Sequence, residues 1–263
     1  MRHLLSAIAI LLSCSLSAAD DWAKAKLDKS PRHGEWVKIK QGNREVQAWV
    51  VYPEVKDKAT AVLVIHEIFG LSEWVKLMAD DLAEQGFIAI APDLLSGMGE
   101  GGGGTDKTKD VGKAIRDLPP DQITADLDAT VDYVSKLPAA NGKVVACGFC
   151  WGGTQVFRFA TNNKTLKAAC PFYGTGPDKA EDIARIACPV YGFYGGSDAR
   201  VTATVPKTTD MMKAAGKAYE PVTYEGAKHG FMRAGEDPNV KEDGNKKGRE
   251  EGFKRLVEII KRA

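Results

Sequence analysis

Residues 143–153 read KVVACGFCWGG, and the reading of this stretch decides the fold. Val144, Val145, Ala146 and Cys147 form the continuous apolar run expected of a strand buried on both faces. Gly148 to Gly152 then fit the nucleophile elbow G-x-S-x-G, with Cys150 where serine is usual. The following TQVFRFAT, 154–161, supplies a helix. An elbow needs this context, because the strand-to-helix turn lifts its central residue above the sheet. At a helix N-terminus the dipole and free N–H groups favour thiolate over thiol. Cys150 is therefore the candidate nucleophile. The same stretch also reads as C-x-x-C, so Cys147 and Cys150 form a possible redox pair.

Outward from this point the chain alternates. EWVKIK and REVQAWVVYP flank the turn QGN as a hairpin, and TAVLVIHE is a buried strand. Ser72 caps a helix in which Trp74, Leu77, Met78 and Leu82 recur at helical spacing, and FIAIAPD is the next strand. Further strands are LKAACPFYG, ACPVYGFYG and YEPVTYEG. Helices are expected in ITADLDATVDYVSKL, VPKTTDMMKAAG and the C-terminal EEGFKRLVEIIKRA, whose Phe253, Leu256, Val257 and Ile260 make one stripe. Strands and helices in alternation predict an α/β fold, a mostly parallel sheet covered on both faces. The glycine-rich segment 96–112 interrupts the pattern and reads as a lid, a binding loop or a disordered stretch.

Of the 263 residues, 44% are hydrophobic and 27% charged, with a net charge of +1. One domain of this size buries a sizeable core, and the balanced charge gives no footprint for nucleic acid. The opening MRHLLSAIAILLSCSLSAAD has a basic start, an apolar run and small residues before Asp20. Residues 1–19 are thus expected to be a signal peptide and 20–263 a single domain, exported to the periplasm and not inserted in a membrane. A minority reading lipidates Cys14. Cys147, Cys170 and Cys188 are expected in the core, although export would permit one bridge.

A thiol nucleophile needs a proton carrier. In α/β hydrolases nucleophile, acid and histidine follow in that order, each after a strand. His33 and His66 precede the elbow, so only His229, in EGAKHGF, falls where the base belongs. Asp198, in YGGSDARVT, takes the acid position. Order and spacing make Cys150, Asp198 and His229 the expected triad. Glu67 follows His66 at the end of a buried strand, as a carboxylate aimed at the cleft. The pair is not half of H-E-x-x-H, because residue 70 is glycine, and no metal or other cofactor is expected.

HEIFG, APDLL, GFCWGG, YGGSDARV and GAKHGFMR, in this order, resemble the dienelactone hydrolase family over most of the chain beyond Glu35. The resemblance implies an α/β-hydrolase fold and a Cys-His-Asp hydrolase of lactones or small esters. It implies that Glu67 holds the resting thiol and takes its proton. It also implies an oxyanion hole of the Ile68 and Trp151 N–H groups, and Arg233 as binder of a substrate carboxylate. A second carboxylate-binding arginine expected after PDL is missing, and the glycine-rich segment stands in that part of the pocket wall. The expected partner is a small lactone or ester, and a monomer is the default. Competing readings are the thiol redox protein and a binding protein on a hydrolase scaffold.

Overall fold

The computed structural model describes residues 21–263, so the signal-peptide and Cys14 readings lie outside the described residues. Helix α1 (Asp21–Leu27) precedes the hairpin β1 (Gly34–Gln41) and β2 (Arg44–Val51), which turns tightly with Gln41 opposite Arg44. There follow β3 (Ala59–Ile65), α2 (Glu73–Glu84), β4 (Ile88–Pro92), α3 (Val111–Arg116), α4 (Pro120–Ser135) and β5 (Ala140–Phe149). Next come α5 (Trp151–Asn162), β6 (Ala168–Phe172), α6 (Ala180–Ala184), β7 (Val190–Gly195) and α7 (Ala199–Thr202). The chain ends with α8 (Val205–Ala214), β8 (Tyr219–Tyr224), α9 (Phe231–Ala234) and α10 (Asp243–Arg262).

The strands form one sheet in the order β1-β2-β4-β3-β5-β6-β7-β8. From β4 to β8 all neighbours are parallel, and the hairpin adds two antiparallel strands at one edge. Alternation of side chains across β3 explains why both faces must be covered. Ala61, Leu63 and Ile65 enter one core with Ile123 and Leu127 of α4 and Val156 and Phe157 of α5. Val62 and Val64 enter the other with Trp74 and Leu77 of α2 and Leu256 and Ile260 of α10. Full burial of such side chains contributes about 1.5–3 kcal/mol each before ordering costs. Stability therefore concentrates in the parallel strands rather than in β1, where alternate residues face solvent.

The expected strands, the Ser72 cap and the C-terminal stripe are all present. The sequence reading left out α1, α3, α6, α7 and α9, helices too short to show a full apolar period. Segment 96–112 is not disordered. Gly99 N–H donates to Gly103 O at 2.8 Å, and Arg44 donates to the Ser96 carbonyl at 2.6 Å. Thr105 pins the segment down. Its N–H and hydroxyl both donate to the buried Asp93 carboxylate at 2.7 Å, and its oxygen accepts from Leu71 N–H at 3.1 Å. Among the described residues no helix is long and apolar enough to cross a membrane.

Candidate active site

The elbow is built by crowding. Gly152 is required because a Cβ there would lie 2.4 Å from the carbonyl oxygens of Ile65 and His66 on the β3 exit. At Gly148 a Cβ would stand 2.6 Å from Gly152 O. Helix α5 thus presses its first turn against the sheet, and Cys150 absorbs the bend with φ 56° and ψ −115°. Such a conformation costs a non-glycine residue about 1–3 kcal/mol and persists only where neighbours enforce it. Here Cys150 N–H donates to Phe172 O at 3.1 Å, and its carbonyl accepts from Thr154 at 3.2 Å.

Asp198 and His229 arrive from the next strand ends. Asp198 is buried at the start of α7, and its Oδ1 accepts from Val201 N–H at 3.4 Å. The β7 and β8 exits are stitched together, with Ser197 N–H donating to Ala227 O at 2.8 Å. His229 follows in that second loop, and α10 braces it through Lys228 N–H to Asn245 Oδ1 at 2.8 Å. Its Nδ1 lies 2.5 Å from Asp198 Oδ2 and its Nε2 3.0 Å from Cys150 Sγ. A carboxylate only accepts, so Nδ1 carries the proton and Nε2 faces the sulfur as acceptor. The structure therefore brings together the three side chains selected from their order in the sequence.

Glu67 is 3% exposed and accepts from Arg233 Nε at 3.2 Å, while the Arg233 guanidinium lies 5.1 Å from the centre of the Phe69 ring. The expected carboxylate anchor is therefore engaged by the expected catalytic carboxylate. No described acceptor takes the Ile68 N–H. Trp151 N–H begins α5 and points its favourable field at the Cys150 sulfur. His66 links the two segments. Its fully buried ring donates from Nδ1 to Glu67 O at 2.9 Å and stacks on Trp151 with centroids 5.5 Å apart. Burial keeps this imidazole neutral, pushing it below its ordinary value.

The expectation of a favoured thiolate does not hold in the resting protein. Burial first and the Glu67 charge second push the Cys150 thiol up. The Trp151 N–H and Arg200 pull the other way and do not prevail. A few backbone dipoles are outweighed by desolvation together with a nearby full charge.

Two residues at the site were not foreseen. Tyr173, 1% exposed and held at φ 39°, packs edge-on to His229 at 5.1 Å. Arg200 lines the cleft of about 190 Å³ at the sulfur, with Cys150, Trp151, Thr154, Tyr173, Thr175 and Val201. None of segment 96–112 lines that cleft. Thr105 packs instead against Gly70 and Leu71, just past Phe69, while Ser96, Gly97 and Gly102 lie beside Arg44 and Gln47 of the hairpin. Cys147, Cys170 and Cys188 are buried free thiols, and burial raises all three. Among the described residues no cluster of three His, Cys, Asp or Glu side chains is arranged to hold a metal.

Comparison with known proteins agrees with this architecture. The model of the dienelactone hydrolase family matches residues 46–263. A protein of Methylorubrum extorquens, provisionally named a carboxymethylenebutenolidase, is 31% identical over 206 residues, covering 74% of this chain and 71% of its own. One of the same name from Escherichia coli K12 is 28% identical over 262 residues, covering 95% and 92%. A crystal structure from Klebsiella pneumoniae, provisionally titled a dienelactone hydrolase, superposes with a TM-score of 0.77 at 25% identity, covering 88% and 99%. An acylaminoacyl peptidase at 15% identity and TM-score 0.66 shares the fold alone, over 90% of this chain and 43% of its own. The chain belongs to the dienelactone hydrolase family, as an α/β-hydrolase-fold hydrolase of the carboxymethylenebutenolidase type.

Proposed function

We propose that the protein cleaves lactones or small carboxylic esters with Cys150 as nucleophile, through a thioester on its sulfur. The observation that carries this reading is the line from Asp198 Oδ2 to His229 at 2.5 Å and from His229 to Cys150 Sγ at 3.0 Å. Within that line the sulfur attacks the substrate carbonyl as its proton passes to His229 Nε2. Asp198 holds the imidazole in the tautomer that can accept, and stabilises the imidazolium. The tetrahedral oxyanion is met by the N–H groups of Ile68 and Trp151, donors aimed at charge that appears only in the transition state. On collapse the C–O bond breaks and His229 returns the proton to the leaving alkoxide. Water, deprotonated by His229, then attacks the thioester, and the sulfur leaves and recovers its proton.

Glu67 keeps the resting thiol protonated by its charge, and His229 Nε2, 3.0 Å from the sulfur, stands in place as a proton acceptor. A thiol held neutral until substrate arrives is protected from adventitious oxidants, as suits an exported protein. The N-terminal sequence supports export. Fractionation of cells making the full chain checks it, with the mature protein expected in the periplasm and starting near Asp20.

The decisive experiment compares wild type with Cys150→Ala on p-nitrophenyl acetate and dihydrocoumarin, a simple lactone. Loss of about 10³-fold or more in kcat/KM is expected, together with an acyl adduct trapped on the Cys150 peptide of the wild type. Hydrolysis by Cys150→Ala at the parental rate overturns the reading.

A further inference from the structure

The charged groups around the sulfur are unevenly committed. Glu67 and Arg233 face each other at 3.2 Å, and Asp198 is taken by His229. Beside the thiol cleft runs a groove of about 450 Å³, which shares Thr154 and Thr175 with it. Its two arginines are also engaged, Arg158 with Asp121 at 3.7 Å and Arg185 with Asp182 at 2.7 Å. Arg200 differs. It is the one charged side chain among the seven residues lining the thiol cleft, and it has no hydrogen bond or ion pair with any described residue.

The backbone that carries Arg200 is rigid for a reason tied to the site. Asp198, two residues earlier, orients His229 through one oxygen and caps α7 through the other. Thr202 hydroxyl donates to Gly195 O at 2.8 Å on the far side of the same turn. Thr154 and Thr175 line the same cleft, with Thr175 N–H donating to Thr154 Oγ1 at 3.0 Å. A solvent-exposed guanidinium without a described partner, two threonines and the candidate nucleophile thus line one small cleft. A carboxylate carried by the substrate would find both charge and fork-shaped donors there, whereas at Arg233 it must first displace Glu67.

We infer that Arg200 is a specificity-determining residue that receives an anionic group of the substrate, a carboxylate, while the substrate's carbonyl carbon faces Cys150. The inference rests on Cys150 being the nucleophile. It assigns anion recognition to the wall after β7 rather than to the segment after β4, where the sequence lacks an arginine.

Iodoacetate and iodoacetamide test this without requiring turnover, since both transfer a two-carbon unit to the thiolate and release iodide. They differ in one respect: the first carries a carboxylate. The quantity to measure is the ratio of their alkylation rates at Cys150, read on the Cys150 peptide of the whole protein by mass spectrometry. A ratio cancels any change in thiol reactivity that the loss of Arg200 brings. Arg200→Gln is expected to lower the ratio about tenfold, the size of one charge-assisted contact, and Arg200→Lys to restore it to within about threefold. An unchanged ratio in Arg200→Gln, including equal slowing by both reagents, overturns the role of Arg200 and leaves the nucleophile intact. Failure of both reagents to alkylate Cys150 in the wild type overturns the nucleophile and the anchor together.

Discussion

At Cys150 several influences compete over one proton, and their balance makes two predictions. Burial and Glu67 hold the proton on sulfur, while Trp151 N–H and Arg200 favour its loss. Glu67→Gln removes a negative charge beside the sulfur, so the thiolate becomes easier to form. The pH midpoint of iodoacetamide alkylation at Cys150 is expected to move down relative to wild type, and a midpoint that stays or rises refutes the electrostatic account. His229→Gln removes the acceptor at Nε2, and kcat/KM is expected to fall about 10²–10⁴-fold. The His229 side chain is one-third exposed, so its thermal melting should stay close to wild type. Cys150, Asp198 and His229 were legible because the chemistry demands these types in a set order after strands. Tyr173 and Arg200 carried no such signal: Tyr173 lies outside the blocks that carry the family resemblance, and Arg200, although inside YGGSDARV, is no part of the triad order, so only folding brings them to the cleft.

The elbow shows how an element imposes a residue's conformation. Gly152→Ala would drive a methyl into two carbonyl oxygens at the β3 exit, backbone on both sides that cannot swing away. Overpacking of this kind costs about 1–3 kcal/mol or more. At about 2–4 °C per kcal/mol for a domain of this size, melting is expected to drop by several degrees, with hydrolysis lost as Cys150 shifts. Melting as in wild type would show the elbow to be loose. Thr105→Val tests the glycine-rich segment. It removes the hydroxyl that donates to Asp93 and accepts from Leu71 while keeping the β-branched shape. A stability loss of about 1–3 kcal/mol is expected in urea unfolding, and a neutral result would mean the segment is not anchored there. Composition hid this anchor. Six glycines between residues 96 and 104 suggest a flexible coil, but one buried carboxylate after β4 fastens Thr105 at their end.

Across the whole molecule, four distant segments meet in a buried charge network. Asp81 of α2 accepts from Arg249 of α10 at 2.7 Å and from Lys26 of α1 at 3.2 Å. Glu236, just past α9, accepts from Lys26 at 2.7 Å and Trp74 Nε1 at 3.1 Å. Burial and the Glu236 charge push Asp81 up to about 7, while Glu236, despite burial, is held at about 2 by Arg249 and its other donors. For Asp81 the folded value lies above the unfolded one, so its contribution to stability is full at low pH and is lost as pH rises toward 7. Asp81→Asn cannot ionise. Between pH 5.5 and 8 wild type is therefore expected to lose stability relative to this variant, on the order of 1 kcal/mol in urea unfolding, and a gain would reverse the assignment. The sequence by itself determined the sheet, its helical covering and the order of the three side chains that meet at the elbow. Local periodicity and the demands of one sharp turn are written in neighbouring residues. Only the tertiary structure decided the charge partners: Glu67 with Arg233, Asp81 with Arg249, and Arg200 left uncommitted at the cleft. Electrostatic balance depends on distance through space and on burial, which residues far apart along the chain acquire only when the sheet assembles.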